Sequence, residues 1–493
     1  MKKSDFKAYT ANRRSFLKVG LATAALTSMP RAVHARNASD VIVIGAGLSG
    51  LNATLLLEEM GASVTLLEGT DRIGGRLYTA PENEVPGHPE MGGSGIGGGY
   101  ARLKDAAARY GVALEPARPR TEPRDGEVMY HLYNENILVD EWEGHAKNPF
   151  VDPAARAMPP YFYQFTAYGA ANPLPEGDIE AWQDPAYAKY DISVYDFLKA
   201  RGVPDPAIHL GSGTNMSYGS NVFDLSVLMW FQIATWGQVI GALGDGSGSK
   251  AGVGGNQRIP EAMATGLKTE IRFKTHVTGI RSLPDGVEVH TRDGEIHRAK
   301  YLISSLPYSA LKFVSVEPSL QGTQSDAVKN LGYTPVFQVH FVPTRKFWED
   351  DGLPPSMWTD RSMGRFMALK NDPSNPDDVT SYISFVNGDM AKFMDRMPPD
   401  DAVAFMMQEL AEIRPSTRGA LKPVKVWSWN RNIFAGGAYA YWKPGQITSF
   451  ATTLATPWHR IHFAGEHTSA TDRGMEGAME SGERAAFEVL DRL

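Results

Sequence analysis

Short apolar runs and an amphipathic stretch near the start of the chain predict strands and a helix in turn. Residues 41–44 are all apolar, which is typical of a parallel strand buried on both faces. Leu51, Leu55 and Leu56 then place apolar side chains along a helix, and residues 64–67 form a second apolar run. This order of strand, helix and strand predicts the start of an α/β fold with a parallel sheet.

Three glycines between the first strand and the helix indicate a dinucleotide site. Gly45, Gly47 and Gly50 form a G-x-G-x-x-G turn, which permits a tight bend, a close approach of a pyrophosphate and close packing of helix on strand. The helix N-terminus offers free N–H groups to the phosphates. Glu68 closes the second strand, where an acid accepts hydrogen bonds from a ribose 2′-OH. This acid disfavours a 2′-phosphate, and therefore NADP.

Two more glycines and an arginine follow the ribose acid, in residues 71–76. Arg76 is a bidentate cation that suits a pyrophosphate. With these motifs the chain resembles the flavin amine oxidase family, which includes monoamine, polyamine and L-amino acid oxidases. The resemblance covers nearly all of the chain after residue 35. It implies an α/β fold, with a Rossmann-like FAD-binding domain interleaved with an α+β substrate-binding domain, and an amine-oxidising enzyme with FAD as cofactor.

The resemblance also implies how two domains divide the chain. It assigns residues 36–100, 250–312 and 425–493 to the FAD-binding domain, and residues 101–249 and 313–424 to the substrate-binding domain. The length of 493 residues agrees with this division, because it exceeds what one simple core usually holds.

The pattern of apolar positions predicts the elements between the glycine motifs. Helices are expected at residues 100–110, 196–201 and 223–240, and strands at residues 271–277, 287–291, 301–305 and 336–342. Residues 120–190 are rich in Pro, Tyr and Trp without a clear period, so irregular helices and loops are expected there. In the last predicted strand, the period of two places Val336, Gln338 and His340 on one face.

Further cofactor contacts follow from the resemblance. Residues 91–99 are dense in glycine, and in the family such a segment lets the backbone lie against the isoalloxazine ring, because absent side chains permit a close approach. Gly92, Gly93 and Ser94 are the expected contacts. Val277 is expected to contact the adenine through its backbone.

A motif near the C-terminus resembles the other half of the family's flavin site. It comprises residues 461–466 and 474–486. The helix N-terminus expected here can stabilise negative charge on the reduced ring. Met475 is expected to supply a backbone N–H, Glu466 to lie near the ribityl-pyrophosphate, and Gly465 to be a further cofactor contact.

The residues facing the substrate are also assigned by resemblance. Trp429 matches a family tryptophan beside the flavin, and Tyr439 matches one wall of the aromatic cage that aligns the amine. Amine oxidation by a flavin needs such walls and the exclusion of water more than an acid–base pair. Ala438 stands where monoamine oxidases carry the cysteine that bonds the flavin, so the FAD is expected to be non-covalent.

Two further departures concern the reaction itself. Gly474 stands where the second cage aromatic is expected, so the cage is either half open or rebuilt by Tyr441 or Trp442. Many family members have a lysine that holds a water near flavin N5. Alignment from one side places Gln338 there and alignment from the other side places Val336, and neither is a lysine.

The sequence therefore supports one leading function and leaves alternatives open. The leading function is oxidation of an amine to an imine, which water hydrolyses to a carbonyl compound and ammonia or an amine, with dioxygen reduced to hydrogen peroxide. An L-amino acid oxidase needs a cation for the substrate carboxylate, but residues 92–99 contain no arginine and Arg102 stands at the wrong step. An amine dehydrogenase with another electron acceptor and a non-catalytic flavoprotein also remain. A nicotinamide dehydrogenase is disfavoured, because it would not need the C-terminal flavin motif.

The first residues of the chain resemble an export signal. Residues 12–18 resemble the twin-arginine motif, an apolar stretch follows at residues 19–26, and residues 32–35 offer small side chains for cleavage. The apolar stretch is shorter than the roughly 20 residues that span a membrane. Residues 1–35 are therefore predicted to be a signal peptide that directs the folded protein to a bacterial periplasm.

Composition and net charge indicate which classes of partner the protein binds. The net charge is −7, and it falls to near −13 without residues 1–35, which carry seven Lys/Arg and one Asp. This balance disfavours nucleic acid and weakly favours small cationic molecules. The chain has no cysteine, so neither disulfides nor Cys-ligated metals are expected, and no metal site is predicted. The chain ends directly after the last predicted helix, so no C-terminal membrane anchor is expected; the oligomeric state stays open, a homodimer included.

Overall fold

The computed structural model of the protein describes residues 39–117, 126–244, 246 and 248–493. The predicted export signal, residues 1–35, lies outside the described residues. Two large sheets organise the described part of the chain. Each gathers strands that are far apart in the sequence.

The first sheet has eight strands and carries the N-terminal glycine turn. Its strands, in spatial order, are Ser315–Glu317, Val277–Ser282, Val287–Thr291, Ile296–Ser304, Ser39–Ile44, Val64–Leu67 and Ile271–Arg272, with Ile461–Phe463 paired to Ile296–Ser304. The strand Ser39–Ile44 pairs in parallel with its neighbour on each side. Its last four residues are fully buried, which explains the unbroken apolar run.

The second sheet has seven strands and mostly antiparallel pairing. Its strands, in spatial order, are Leu421–Ser428, Val336–Pro343, Ser381–Asn387, Arg365–Leu369, Ser356–Thr359, Val128–Leu132 and Glu135–Leu138. Two small pairs complete the strands: Gly332–Tyr333 with Ala440–Tyr441, and Leu114–Pro116 with Lys250–Gly252.

The helices pack around these sheets. Those of nine or more residues are Leu48–Glu59, Ala101–Arg109, Val227–Leu243, Gly322–Asn330, Pro399–Ile413 and Gly474–Leu490. Shorter α-helices are Val139–Trp142, Pro153–Ala157, Tyr163–Thr166, Val194–Lys199, Asp205–Ile208, Arg258–Ala264, Tyr308–Leu311, Phe347–Asp351, Gly388–Met394 and Gln446–Phe450. Among the described residues, no helix combines the length and the apolar character needed to cross a membrane.

The first and last long helices bring the two glycine motifs together. Leu48–Glu59 packs against Gly474–Leu490, and the side-chain amide of Asn52 donates to the Met479 carbonyl at 2.8 Å. A Cβ at Gly482 would stand 2.3 Å from the Ser49 carbonyl oxygen, so only glycine permits this approach. The two motifs, more than 400 residues apart in the sequence, therefore build one site.

Two sequence predictions are wrong in detail. The strand predicted at residues 271–277 is two strands, because Lys274 has a φ of +56° that breaks the extended backbone between them. Residues 120–190 are not only irregular, since the hairpin Val128–Leu132 and Glu135–Leu138 joins the second sheet. Its two-residue turn has positive φ at Tyr133 and Asn134, as tight hairpin turns require.

The other predicted elements are present, the strands at residues 64–67 and 287–291 with the predicted ends and the rest with shifted ends. Val336, Gln338 and His340 lie in one strand at alternate positions. The domain boundaries proposed from the sequence remain a prediction.

Candidate active site

A long cleft of about 730 Å³ begins at the carboxyl end of the strand Ser39–Ile44 and at the N-terminus of the helix that follows. Most predicted cofactor residues line it: Gly45, Gly47, Glu68, Arg76, Gly93, Val277, Gly465, Glu466 and Met475. Gly92, Ser94 and Trp429 line an adjoining cavity instead. The sequence thus identified residues from four separate segments that the fold brings to one cleft.

The glycine turn has the geometry of a phosphate cradle. Gly45 has a φ of +103°, and a Cβ there would stand 2.5 Å from the Ser305 hydroxyl. A Cβ at Gly50 would stand 1.9 Å from the Gly45 carbonyl oxygen, so Gly50 serves packing and does not line the cleft. At Gly47 a Cβ would have no neighbour closer than 3.8 Å and would occupy the cleft itself. The backbone is therefore open to a pyrophosphate at the helix N-terminus.

Glu68 is held in position by the protein and keeps capacity for a ligand. One carboxylate oxygen accepts from the Ala46 N–H at 2.8 Å, and the other accepts from the Thr70 N–H and hydroxyl at 2.8 and 2.7 Å. A carboxylate offers about four lone-pair sites. Three of them are used, and the remaining one can accept a ribose hydroxyl.

Arg76 and Glu466 form a partly buried ion pair in the wall of the cleft. Their closest atoms are 2.7 Å apart, and the same Glu466 oxygen accepts from the Ala440 N–H at 3.0 Å. Burial alone would raise the pKa of Glu466, but the charge and hydrogen bond of Arg76 outweigh it and the pKa is lowered. Burial lowers the pKa of the neighbouring His467 to about 3, so this imidazole is neutral at ordinary pH. A pyrophosphate contact of Arg76 remains a prediction.

A second cavity of about 350 Å³ adjoins the cleft. The two share a boundary lined by Arg76, Gly93, Ala438, Tyr439, Gly474 and Met475. The floor of the cavity is one face of the seven-stranded sheet, where Val336 and Gln338 neighbour Asn387 and Phe385 across the strands. The cavity is therefore a substrate-sized chamber that opens onto the cofactor cleft.

One backbone carbonyl of the glycine loop is bound by two side chains of the chamber. The Met91 carbonyl accepts from the Trp429 indole N–H at 2.8 Å and from the Gln338 side-chain amide at 2.9 Å. A Cβ at Gly92 would stand 1.9 Å from the Arg76 carbonyl oxygen and 3.2 Å from the Trp429 ring. Trp429 and Gln338 thus position the loop that the sequence predicted to face the flavin.

Tyr439 faces a second tyrosine that the sequence did not reveal. The ring centroids of Tyr439 and Tyr218 are 5.0 Å apart with an interplanar angle of 62°, and both rings line the chamber. The Tyr439 hydroxyl donates to the Ser217 carbonyl, which orients its ring. Tyr439 therefore stands at the boundary with the cofactor cleft, and Tyr218 faces it from within the chamber.

The suggestion that Tyr441 or Trp442 rebuilds the cage is wrong. The Tyr441 hydroxyl donates to Asp224 at 2.8 Å, and Trp442 packs against Trp182 in the core with centroids 5.5 Å apart. Both side chains are buried away from the chamber. Gly474, with a φ of +56°, leaves space there, and a Cβ on it would stand 3.5 Å from the Tyr100 hydroxyl.

The comparisons with known proteins agree with this geometry. Residues 48–490 match the model of the flavin containing amine oxidoreductases. The chain belongs to this family. It is 27% identical over 472 residues to a flavin-containing amine oxidase of Danio rerio, covering 92% of this chain and 86% of the relative. It is 25% identical over 473 residues to the human flavin-containing amine oxidase B, covering 93% and 87%.

Solved structures of similar fold include cyclohexylamine oxidase from Brevibacterium oxydans, with a TM-score of 0.72 and 21% identity, covering 92% of this chain and 99% of that chain. Wild-type putrescine oxidase bound to putrescine gives a TM-score of 0.69 at 20% identity, with 92% and 100% covered. These likenesses show the two-domain amine oxidase fold. The protein is accordingly an FAD-dependent amine oxidoreductase.

The residues present fit FAD. The open backbone at Gly47, the acid at Glu68 and the start of the helix Gly474–Leu490 at the boundary of the chamber match the pyrophosphate, the ribose and the ring of this cofactor. Ala438, which the resemblance aligns with the flavin-linking cysteine of monoamine oxidases, lines the boundary of cleft and chamber. Because the chain contains no cysteine, a cysteinyl link to the flavin is excluded.

Proposed function

We propose that the protein is an amine oxidase that works on small amines in the chamber between the seven-stranded sheet and the cofactor cleft. FAD, when bound, accepts the hydride that leaves the α-carbon of the amine and passes the electrons to dioxygen, giving hydrogen peroxide. The nitrogen lone pair and the loss of one proton complete the C=N bond. Water then hydrolyses the imine to an aldehyde or ketone and ammonia or a smaller amine.

The facing rings of Tyr439 and Tyr218 are the observation that carries this proposal. Tyr439 lines the boundary between chamber and cleft, where a reacting carbon must lie, and Tyr218 faces it from within the chamber. Their walls orient the amine and exclude water, which such a hydride transfer needs. Trp429 and Gln338 hold the glycine loop. The N-terminus of the helix Gly474–Leu490 would stabilise negative charge on the reduced flavin ring.

An amine dehydrogenase is the second candidate, and the absence of a lysine at either candidate position favours it. Gln338 or Val336 stands where many family members carry a lysine, and the Gln338 side-chain amide donates to the Met91 carbonyl. Among the described residues that line the chamber, none is a lysine. If this lysine promotes the reaction with dioxygen, a different electron acceptor would serve here.

The test is amine-dependent oxygen consumption by the purified holoprotein, with peroxide and aldehyde measured together. An oxidase yields one peroxide per amine consumed. A dehydrogenase consumes amine at a comparable rate only when an artificial electron acceptor is added. Failure of both assays with primary, secondary and aromatic amines would refute the proposed activity.

Export to a periplasm by the twin-arginine route is also part of the proposal. Its support is the motif in residues 12–18, and the location is tested by fractionating cells that express the full chain. A Lys-Lys replacement of Arg13 and Arg14 should keep the protein in the cytoplasm. Periplasmic recovery of that variant would contradict the route.

A further inference from the structure

A charged residue and a buried amide stand in the floor of the substrate chamber. Arg365, Phe385 and Gln338 lie side by side across three neighbouring strands of the seven-stranded sheet. Asn387 lies two residues after Phe385 and therefore on the same face. All four line the chamber. Because neighbouring strands are about 4.8 Å apart, the backbone of Arg365 lies about 10 Å from that of Gln338.

Arg365 brings a permanent positive charge into this floor. It is 8% exposed, donates from Nη2 to the Asn215 carbonyl at 2.5 Å, and lies 6.0 Å from the centre of the Phe385 ring. A guanidinium stays protonated in proteins and presents five N–H donors in a fork that matches a carboxylate. It can therefore keep its protein contacts and bind an anionic group as well.

Asn387 points independently to a ligand. It is 5% exposed, and neither its Nδ2 nor its Oδ1 atom has a hydrogen-bond partner among the described residues. Burying an amide without partners is costly, so such a group usually meets a ligand or water. Its position beside Phe385, whose opposite neighbour is Arg365, places a donor within the same part of the chamber.

The sign of the charge selects the substrate. Among the described residues that line the chamber, none is an aspartate or a glutamate; Arg365 and Arg76 are its cations, and Arg76 is paired with Glu466 at 2.7 Å. A second ammonium group, as in a diamine, would meet a positive charge and no counter-charge. A carboxylate would meet Arg365 and the Asn387 amide.

We propose that the substrate is an amino acid whose carboxylate is bound by Arg365 and Asn387, several carbons from the amine that is oxidised. This rests on the proposed amine oxidation. The reacting carbon lies at Tyr439, which lines both the chamber and the cofactor cleft, while Arg365 lines only the chamber. An α-amino acid carries its carboxylate on the reacting carbon itself, and would therefore place it at the boundary with the cleft, which Arg365 does not line. With dioxygen and water, the reaction yields an oxo acid, ammonia and hydrogen peroxide.

The test compares each amino acid with the alkylamine of equal length, using the holoprotein. The series is 4-aminobutanoate, 5-aminopentanoate and 6-aminohexanoate against butylamine, pentylamine and hexylamine, with L-norleucine as the α-amino acid. At least one of the longer amino acids should exceed its alkylamine in kcat/KM. Arg365→Met should lower that kcat/KM roughly 10- to 150-fold, as expected for the loss of hydrogen bonds between charged groups.

The controls separate binding from folding. Arg365→Met should keep the flavin absorbance and oxidise hexylamine at least as well as the wild type, and Arg365→Lys should recover part of the preference for the amino acid. Arg361, four residues away and paired with Glu409 at 3.1 Å outside the chamber, gives the matched variant Arg361→Met, which should behave as the wild type. Asn387→Leu should lower kcat/KM for the amino acid but not for the alkylamine.

A binding readout complements the kinetics. Hexanoate, which cannot react, should perturb the flavin spectrum of the wild type and of Arg361→Met but not of Arg365→Met. Equal kcat/KM for amino acid and alkylamine throughout the series, or a preference that survives Arg365→Met, would overturn the inference. Oxidation of L-norleucine alone would overturn the remote position of the carboxylate. If the holoprotein oxidises neither these compounds nor any other amine, the result would instead count against the proposed function.

Discussion

Removing Arg76 should leave the mostly buried carboxylate of Glu466 without its counter-charge. In the wild type the closest atoms of Arg76 and Glu466 are 2.7 Å apart, and their side chains are only 19% and 11% exposed. At that distance the attraction is about 6 kcal/mol with an effective dielectric constant near 20, before the cost of desolvation is subtracted. Loss of one partner of a buried pair costs about 3–5 kcal/mol. We expect Arg76→Met to lose free energy of unfolding in that range at pH 8.

The stability loss of Arg76→Met should depend on pH in a direction that the pKa of Glu466 determines. In the wild type the pKa of Glu466 is lowered, so its contribution to stability is present above the ordinary carboxyl pKa and is lost as the pH falls through the folded-state pKa. Without Arg76, burial dominates and raises the pKa of Glu466. Protonation of Glu466 at low pH then removes the unpaired charge that destabilises the variant. The difference in unfolding free energy between wild type and variant should therefore shrink from pH 8 to pH 5.

The assay is urea unfolding of the holoprotein at the two pH values, followed by tryptophan and flavin fluorescence. Arg76→Lys keeps the charge and should lose less than Arg76→Met. The double variant Arg76→Met with Glu466→Gln should be more stable at pH 8 than Arg76→Met alone, since no unpaired charge remains. A difference that stays constant or grows towards pH 5 would refute the reasoning.

Three further predictions concern other parts of the molecule. Tyr218→Leu should lower kcat/KM for amines roughly 2- to 13-fold, the value of one aromatic pair. Tyr218→Phe keeps the ring and should stay near the wild type in the same steady-state assay. An equal loss of kcat/KM in both variants would contradict a wall made by the ring. Asp351 pairs with the buried Arg414 at 2.7 Å, and its pKa is lowered to about 2 because hydrogen bonds from Arg414 and Ser416 outweigh burial. Asp351→Asn should cost about 3–5 kcal/mol in urea unfolding at pH 7, and the wild type should lose this contribution as the pH falls from about 4 towards 2. Gly92→Ala places a Cβ 1.9 Å from a backbone carbonyl oxygen and should yield protein with little bound FAD by absorbance, whereas Gly169→Ala, whose Cβ meets nothing within 4 Å, should be fully yellow.

The cofactor cleft was largely predictable because its signals are local. Gly45, Gly47, Gly50 and Glu68 lie within one strand–helix–strand unit, where spacing along the chain fixes position in space. Three of the four line the cleft, and the fourth packs beneath it.

The substrate chamber was less predictable because tertiary pairing builds it. Tyr218 lies in a segment without periodicity and meets Tyr439, 221 residues later, only in the folded chain. Arg365 did leave a signal: it shares a strand face with Met367 and Leu369, both buried, so a charge stands in an apolar row. Such an inward charge in a strand marks a candidate functional residue even before its neighbours are known.

Anaerobic mixing shows whether an amine reduces the flavin of this protein. The chain from Arg36 onward is purified with FAD bound and mixed without oxygen with alkylamines, arylalkylamines, diamines and the amino acid series. The flavin absorbance should bleach with an amine that fits the chamber, and it should bleach more slowly in Tyr218→Leu. An oxidised spectrum that persists with every amine and amino acid would contradict amine oxidation at this flavin.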